Sequence, residues 1–203
     1  MGSDNFMRCG MDILKERIAR EGRVLPGNVL KVDSFLNHQI DPVLCMDMGK
    51  ELARIFSDVP IDRVLTVEAS GIAVGLAAAY AMGVPLVFAK KQKSVLMTGE
   101  AYTAPVYSYT KKETNTISVQ KQFLPADENV LIVDDFLANG EASLGLASLV
   151  EQAGSHVAGI GIAVDKAFQN GHERLLKAGY RLESLAVIAS LEGGRVTFAP
   201  EGE

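Results

Sequence analysis

A chain of 203 residues that is 48% hydrophobic and 22% charged has enough apolar side chains to bury a core and too many to stay disordered. Its 20 Lys and Arg against 25 Asp and Glu leave a net charge of -5, which argues against a broad basic surface for nucleic acid. Its two cysteines, Cys9 and Cys45, form no CxxC pair and cannot make a disulfide framework, so a reducing, cytoplasmic setting is expected.

In chain order, Met1 to Gly10 is polar and irregular. It reads as a disordered extension without the charged flank and apolar run of a signal peptide. Residues 11–203 are expected to form a single domain. Met11 to Glu21 sets Ile13, Leu14, Arg17 and Ile18 at helical spacing, with Gly22 as a stop. Val29 to Val32 is short and extended. Pro42 to Phe56 is amphipathic, with Asp41 as N-cap and Pro42 at the first helical position.

Arg63 to Val67 reads as a strand, followed by the turn Glu68-Ala69-Ser70-Gly71 and an Ala-rich helix. Gly71 to Ala89 carries no charge and is nominally long enough for a bilayer. Gly83 and Pro85 break it, so a buried helix, a turn and a strand over Pro85 to Ala89 are expected instead. Lys90 to Lys121 is polar, with weak alternation near Val106-Tyr107-Ser108-Tyr109. It reads as a mobile excursion that forms a two-stranded ribbon. Val130 to Val133, Val157 to Val164 and Leu185 to Ala189 are further apolar strands, with a helix through Ala153 after the first. Apolar strands alternating with helices predict an α/β fold whose mostly parallel sheet is covered on both faces.

The most informative segment runs from Val130 to Ala142. A buried strand ends in Asp134 and Asp135, at the edge where open α/β sheets bind ligands. Adjacent carboxylates there can accept hydrogen bonds from a vicinal diol, such as the 2′- and 3′-hydroxyls of a ribose. The following residues, Ala138, Asn139, Gly140, Glu141 and Ala142, form a small-residue turn into a helix. Its free N–H groups and the helix dipole make an anion seat, each contact contributing about 0.3–2 kcal/mol. Gly140 lets the backbone approach a phosphate without a side-chain clash. A diol beside a phosphate describes a ribose 5-phosphate. A bare acidic pair after a strand would read as a helix cap, but the full pattern favours the ligand. No GxxxxGK[ST] is present, and Gly159-x-Gly161 falls inside a strand, so the common nucleotide loops lack their motifs. His38, His156 and His172 lie far apart without zinc spacing, and no protein-bound metal site is expected.

The run from Val130 to Gly140 resembles the signature of the type I phosphoribosyltransferases. With Leu30 to Gln39 and Glu68-Ala69-Ser70-Gly71, the chain is similar over nearly its whole length to the xanthine phosphoribosyltransferase branch. Asn139 stands where the wider group often has Thr, and Ala142 where a hydroxyl residue is common. The Asn139 amide and the backbone must then supply the seat. The resemblance implies the type I fold, a mostly parallel sheet flanked by helices with a small hood and a flexible loop. It implies transfer of 5-phosphoribose from 5-phosphoribosyl-1-pyrophosphate (PRPP) to xanthine in purine salvage. Mg²⁺ bound mainly through PRPP and a homodimer are implied too, with no nucleic-acid or membrane partner.

By the same resemblance, Asp134 and Asp135 hold the ribose hydroxyls and Ala138 to Ala142 the 5-phosphate. Leu30, Asn37 and Lys166 contact the base. Lys166 follows an apolar strand and is a pure donor, which matches a 6-oxopurine carbonyl. On residues alone, a surface Lys paired with Asp165 fits equally well, and Asn37 reads as a turn residue. Phe136 or Leu137 is a candidate wall against the purine. The Glu68-Ala69-Ser70-Gly71 turn is expected to face pyrophosphate, with an unusual peptide at Ala69–Ser70. Lys90, Lys91 and Lys93, with Ser108 and Tyr109, are expected in a closing loop. Other readings are transfer to adenine, guanine or hypoxanthine, a PRPP-sensing regulator, or a purely structural domain. The regulator would need a basic DNA-binding module, and the core is expected to begin at Met11, without room for one ahead of it.

Overall fold

Helix α1 (Gly10–Glu21) buries Leu14 and Ile18 on one face. Gly22 ends it, because a Cβ there would stand 2.4 Å from the Ile18 carbonyl oxygen. The computed structural model describes residues 10–91, 100–108 and 113–200. The proposed N-terminal extension, Gly10 apart, lies outside them, as do Lys93 and Tyr109. A small antiparallel hairpin follows, β1 (Arg23–Leu25) and β2 (Val29–Lys31). Three residues are too few to show a period, so β1 is invisible in the sequence pattern. A π-helical turn over Asp33–Asn37 then buries Phe35 and Leu36.

Helix α2 (Pro42–Ile55) starts as expected: the Asp41 carboxylate accepts from the Val43 and Leu44 N–H groups at 3.1 and 3.2 Å. Strand β3 (Arg63–Val67) leads to α3 (Gly71–Met82), which Gly83 closes in a left-handed conformation at φ 72°. The uncharged stretch is thus a helix followed by β4 (Leu86–Ala89), and no described helix is long and apolar enough to cross a membrane. The ribbon is β5 (Ala101–Ser108) against β6 (Glu113–Gln120). Then come β7 (Asn129–Leu137), α4 (Glu141–Gln152), β8 (His156–Lys166), α5 (Gly171–Lys177), β9 (Leu182–Ser190) and β10 (Thr197–Phe198).

Six strands form one sheet in the order β10-β9-β8-β7-β3-β4, parallel except for β10 at the edge. Helices α1, α2 and α3 cover one face; α4, α5 and the ribbon cover the other. From β3 the chain turns through α3 toward β4. From β7 it turns through α4 the opposite way, toward β8. The crevice where those directions part lies beyond the C-terminal ends of β3 and β7, the position at which such sheets bind ligands.

Two expectations need correction. β7 does not stop at Val133 but carries both acids: pairing with β8 continues to Leu137 opposite Asp165, whereas pairing with β3 ends at Ile132. The ribbon is packed rather than free. Ala104, Ile117 and Val119 are buried, and Gly145 on α4 lets it approach, since a Cβ there would lie 2.7 Å from Val106 Cγ2. Gly159 and Gly161 do fall inside a strand, β8, where they have a packing role: a Cβ on either would collide with Phe56 or Leu52 from α2.

Candidate active site

At the crevice, β7 loses its β3 neighbour after Ile132, and Asp134 and Asp135 occupy the opened stretch. Both are buried, 5% exposed. The Asp135 N–H donates to Asp134 Oδ1 at 3.0 Å, and the Ser70 hydroxyl donates to Asp135 Oδ1 at 3.0 Å. Burial first, and the Asp135 charge second, push the Asp134 carboxyl well above the usual range; the hydrogen bond from the Asp135 N–H and then Lys91 pull the other way. Gly71, at the start of α3, makes room for this pair, because a Cβ there would fall 2.6 Å from Asp134 Oδ1 and 2.2 Å from Thr66 Oγ1.

The turn after β7 opens into α4 through Gly140, left-handed at φ 79°. No side chain caps the helix, so its first-turn N–H groups stay available. The turn is held from behind by α5. Gly171 N–H donates to Ala138 O at 2.9 Å, and the Arg174 guanidinium donates to Asn139 O and Glu141 Oε1, each at 2.5 Å. Neither backing residue was found by sequence reasoning. A Gly at a helix start was the only available signal, and Arg174 offered none.

Asp134, Asp135 and all of Ala138 to Ala142 line a single cleft of about 370 Å³. Ser70 and Lys91 line it from the β3 side, and Val106, Tyr107, Asn115 and Ile117 from the ribbon. Leu30, Asn37 and Lys166 are not among its lining residues. Leu30 is buried with the cluster under α1 and α2, and Asn37 is exposed at the end of the π-helical turn. Lys166 ends β8 with Nζ 5.2 Å from the centre of the Phe136 ring. Phe136 lines the cleft and packs against the cluster that holds Leu30, so it joins the two regions. Leu137 lines the cleft as well, with its side chain buried in the cluster on the other face. Burial lowers the Lys166 amine, against the upward pull of Asp135. Lys166 makes no salt bridge with Asp165, whose carboxylate instead meets His172. The unusual peptide is Glu68–Ala69, cis, not Ala69–Ser70. Glu68 accepts the Lys91 N–H at 2.8 Å, tying the ends of β3 and β4 together.

Chemically, the cleft pairs buried acids suited to a diol with uncapped N–H groups suited to an anion. A family model described as a phosphoribosyl transferase domain matches residues 41–185. A xanthine phosphoribosyltransferase of Lactobacillus delbrueckii subsp. bulgaricus is 59% identical over 188 residues, 93% of this chain and 100% of that protein. Another, from Listeria monocytogenes, is 56% identical over 191 residues, 94% of this chain and 100% of that protein. A solved adenine phosphoribosyltransferase of Saccharomyces cerevisiae, complexed with an imino-altritol bisphosphate and adenine, has a TM-score of 0.69 at 25% identity, covering 87% of this chain and 98% of that one. The chain belongs to the phosphoribosyl transferase family.

Proposed function

We propose that this protein transfers the 5-phosphoribosyl group of PRPP to xanthine, giving xanthosine 5′-monophosphate and pyrophosphate in purine salvage. The observation that carries the reading is the cleft itself: two buried acids and an uncapped helix start meet at the crevice between β3 and β7. Relatives named for the xanthine reaction, matched over nearly the whole chain, support the choice of base.

In this reading Asp134 and Asp135 accept from the ribose hydroxyls, and Ser70 fixes the Asp135 carboxylate. Ala138, Asn139, Gly140, Glu141 and Ala142 surround the 5-phosphate. Lys91 and the Ser70 turn face the pyrophosphate side. The base lies toward Phe136, where Lys166 donates to an oxopurine carbonyl and opposes the amino group of adenine. Leu30 and Asn37 are assigned to that subsite by resemblance, Leu30 through the cluster against which Phe136 packs. No covalent nucleophile is needed. Acceleration comes from positioning the two substrates and from stabilising charge as pyrophosphate departs.

The donor set suits Mg²⁺ as the partner of PRPP. Asp134 and Asp135 offer hard carboxylate oxygens at the cleft, too few to cage an ion alone, so most of its ligands would be PRPP oxygens and water. When bound, the ion would supply charge neutralisation for the leaving pyrophosphate. Leu76 and Tyr80, one turn apart on α3, are 58% and 76% exposed, and they offer an apolar stripe for a second copy in a homodimer. The buried free thiol of Cys45 suits a reducing cytoplasm.

The test is pyrophosphate release with PRPP, Mg²⁺ and each of xanthine, guanine, hypoxanthine and adenine. Xanthine is expected to give the highest kcat/KM. A preference for adenine would overturn the role given to Lys166, and PRPP binding without turnover of any base would favour the regulator.

A further inference from the structure

Asp165 is a buried acid that the ligand reading does not use. It immediately precedes Lys166 at the end of β8 and has 0% of its surface exposed. His172 Nδ1 lies 2.5 Å from its Oδ2, and the Ser184 hydroxyl on β9 donates to the same oxygen at 3.2 Å. Its Oδ1 is buried and has no hydrogen-bond partner among the described residues. Burial raises the Asp165 carboxyl, while His172 and Ser184 work to lower it. A buried acid with one oxygen satisfied leans on those two partners, since removing either leaves a desolvated group poorly compensated.

The contact also closes a loop. His172 lies in the first turn of α5, so Asp165 and His172 bracket residues 166–171. At one end of that loop stands Lys166, beside Phe136. At the other stands Gly171, whose N–H holds Ala138 O at 2.9 Å and whose Cα would lie 3.2 Å from a Cβ on Gly140. The base-side end has its own backbone ties, Ala167 N–H to Ile188 O at 3.0 Å and Gln169 N–H to Lys166 O at 2.8 Å. The Asp165–His172 contact joins the strand that carries Lys166 directly to the helix that backs the phosphate turn.

We infer that His172 is a positioning residue: through Asp165 it sets the span between Lys166 at the base subsite and the phosphate turn at Ala138 to Gly140. The inference rests on the roles given above to Lys166 and that turn. Base and PRPP are separate molecules, so each binds without any demand on the span. Only when the bond between them forms must both subsites be correctly spaced. A loosened span therefore lowers kcat and leaves each KM nearly unchanged, because an interaction that matters only in the transition state is lost.

Steady-state kinetics of His172→Ala, His172→Asn and Lys166→Ala with xanthine and PRPP, beside their melting temperatures, provide the test. In His172→Ala, kcat is expected to fall about tenfold to a hundredfold, the upper end being the scale of a misplacement near 1 Å, with each KM within about threefold. His172→Asn, which sets an amide N–H near the Nδ1 position, is expected to recover most of kcat. Wild-type kcat in His172→Ala overturns the inference, as does a loss that tracks melting temperature equally in both variants. If His172→Ala fails to fold, Ser184→Ala removes the other donor and is expected to show a smaller fall in kcat; wild-type kcat there overturns the inference. An unchanged xanthine KM in Lys166→Ala overturns the base-subsite reading and the inference with it. A raised KM there, beside wild-type kcat in His172→Ala, overturns the inference alone.

Discussion

After β7, only Ala138, Asn139 and Gly140 separate the strand from its helix; after β8, the chain takes Ala167 to Asn170 before α5 begins. The first connection offers backbone N–H groups and a left-handed glycine, so its chemistry is independent of most side chains. The second follows Lys166, the one side chain on which its proposed base contact depends, and the Asp165–His172 contact ties its two ends. A backbone site is vulnerable to displacement and tolerant of side-chain change. A side-chain site is the reverse. The two connections also touch, because Gly171 and Arg174 of the second back the turn of the first.

The hardest way to break that comparison is Gly171→Ala. Its Cβ would fall 2.4 Å from Ala138 O and 2.8 Å from Gly140 N, both backbone atoms, so the turn proposed to hold the phosphate has to move. The KM for PRPP is expected to rise about tenfold to a hundredfold. An unchanged value would mean that the turn holds its shape without α5.

Asp135→Asn against Lys166→Ala sharpens the contrast. The first removes the charged acceptor proposed for the sugar and is expected to lower kcat/KM for PRPP about tenfold or more with any base, on the scale of one hydrogen bond to a charged group. The second is expected to raise the KM for xanthine about tenfold while the PRPP value holds. Equal losses toward every substrate in Lys166→Ala would erase the distinction and point to general misfolding.

The smallest effect concerns stability. Asp134 is raised above its unfolded value by burial and by Asp135. The native state therefore binds that proton more tightly than the unfolded chain. Stability from this group is fullest below the ordinary carboxylate range and falls as pH climbs from there to the raised native value. Asp134→Asn removes the titration and keeps an oxygen for the Asp135 N–H. Its melting temperature, followed from about pH 4 to about pH 8, is expected to gain on wild type as pH rises. A constant difference across that range would show that Asp134 does not carry the proton linkage.

Much of the candidate site's lining was legible because Asp134, Asp135 and Ala138 to Ala142 are consecutive, and an apolar run followed by acids and a small turn is a local pattern. The backing by Gly171 and Arg174 and the His172–Asp165 contact were not legible. They join residues on different elements, and no spacing in the chain encodes which side chains meet across β8, β9 and α5. Ser70 was read only as part of a turn, yet its hydroxyl reaches Asp135, 65 positions away. Leu30 and Asn37 illustrate the opposite limit. Resemblance singled them out, while the cleft's lining excludes both, and among the described residues Phe136 links that region to it.

Alternating apolar strands and helices were enough to determine a parallel sheet covered on both faces, and the helix start at Asp41 followed from neighbouring residues alone. Both are short-range consequences of side-chain period and backbone hydrogen bonding. Strand order was decided only by tertiary packing, and with it the crevice between β3 and β7 and the length of β7 beyond its last β3 partner. A strand's pattern says which face it buries, but its neighbour is selected by the helices and glycines that pack across the finished sheet, such as Phe56 against Gly159.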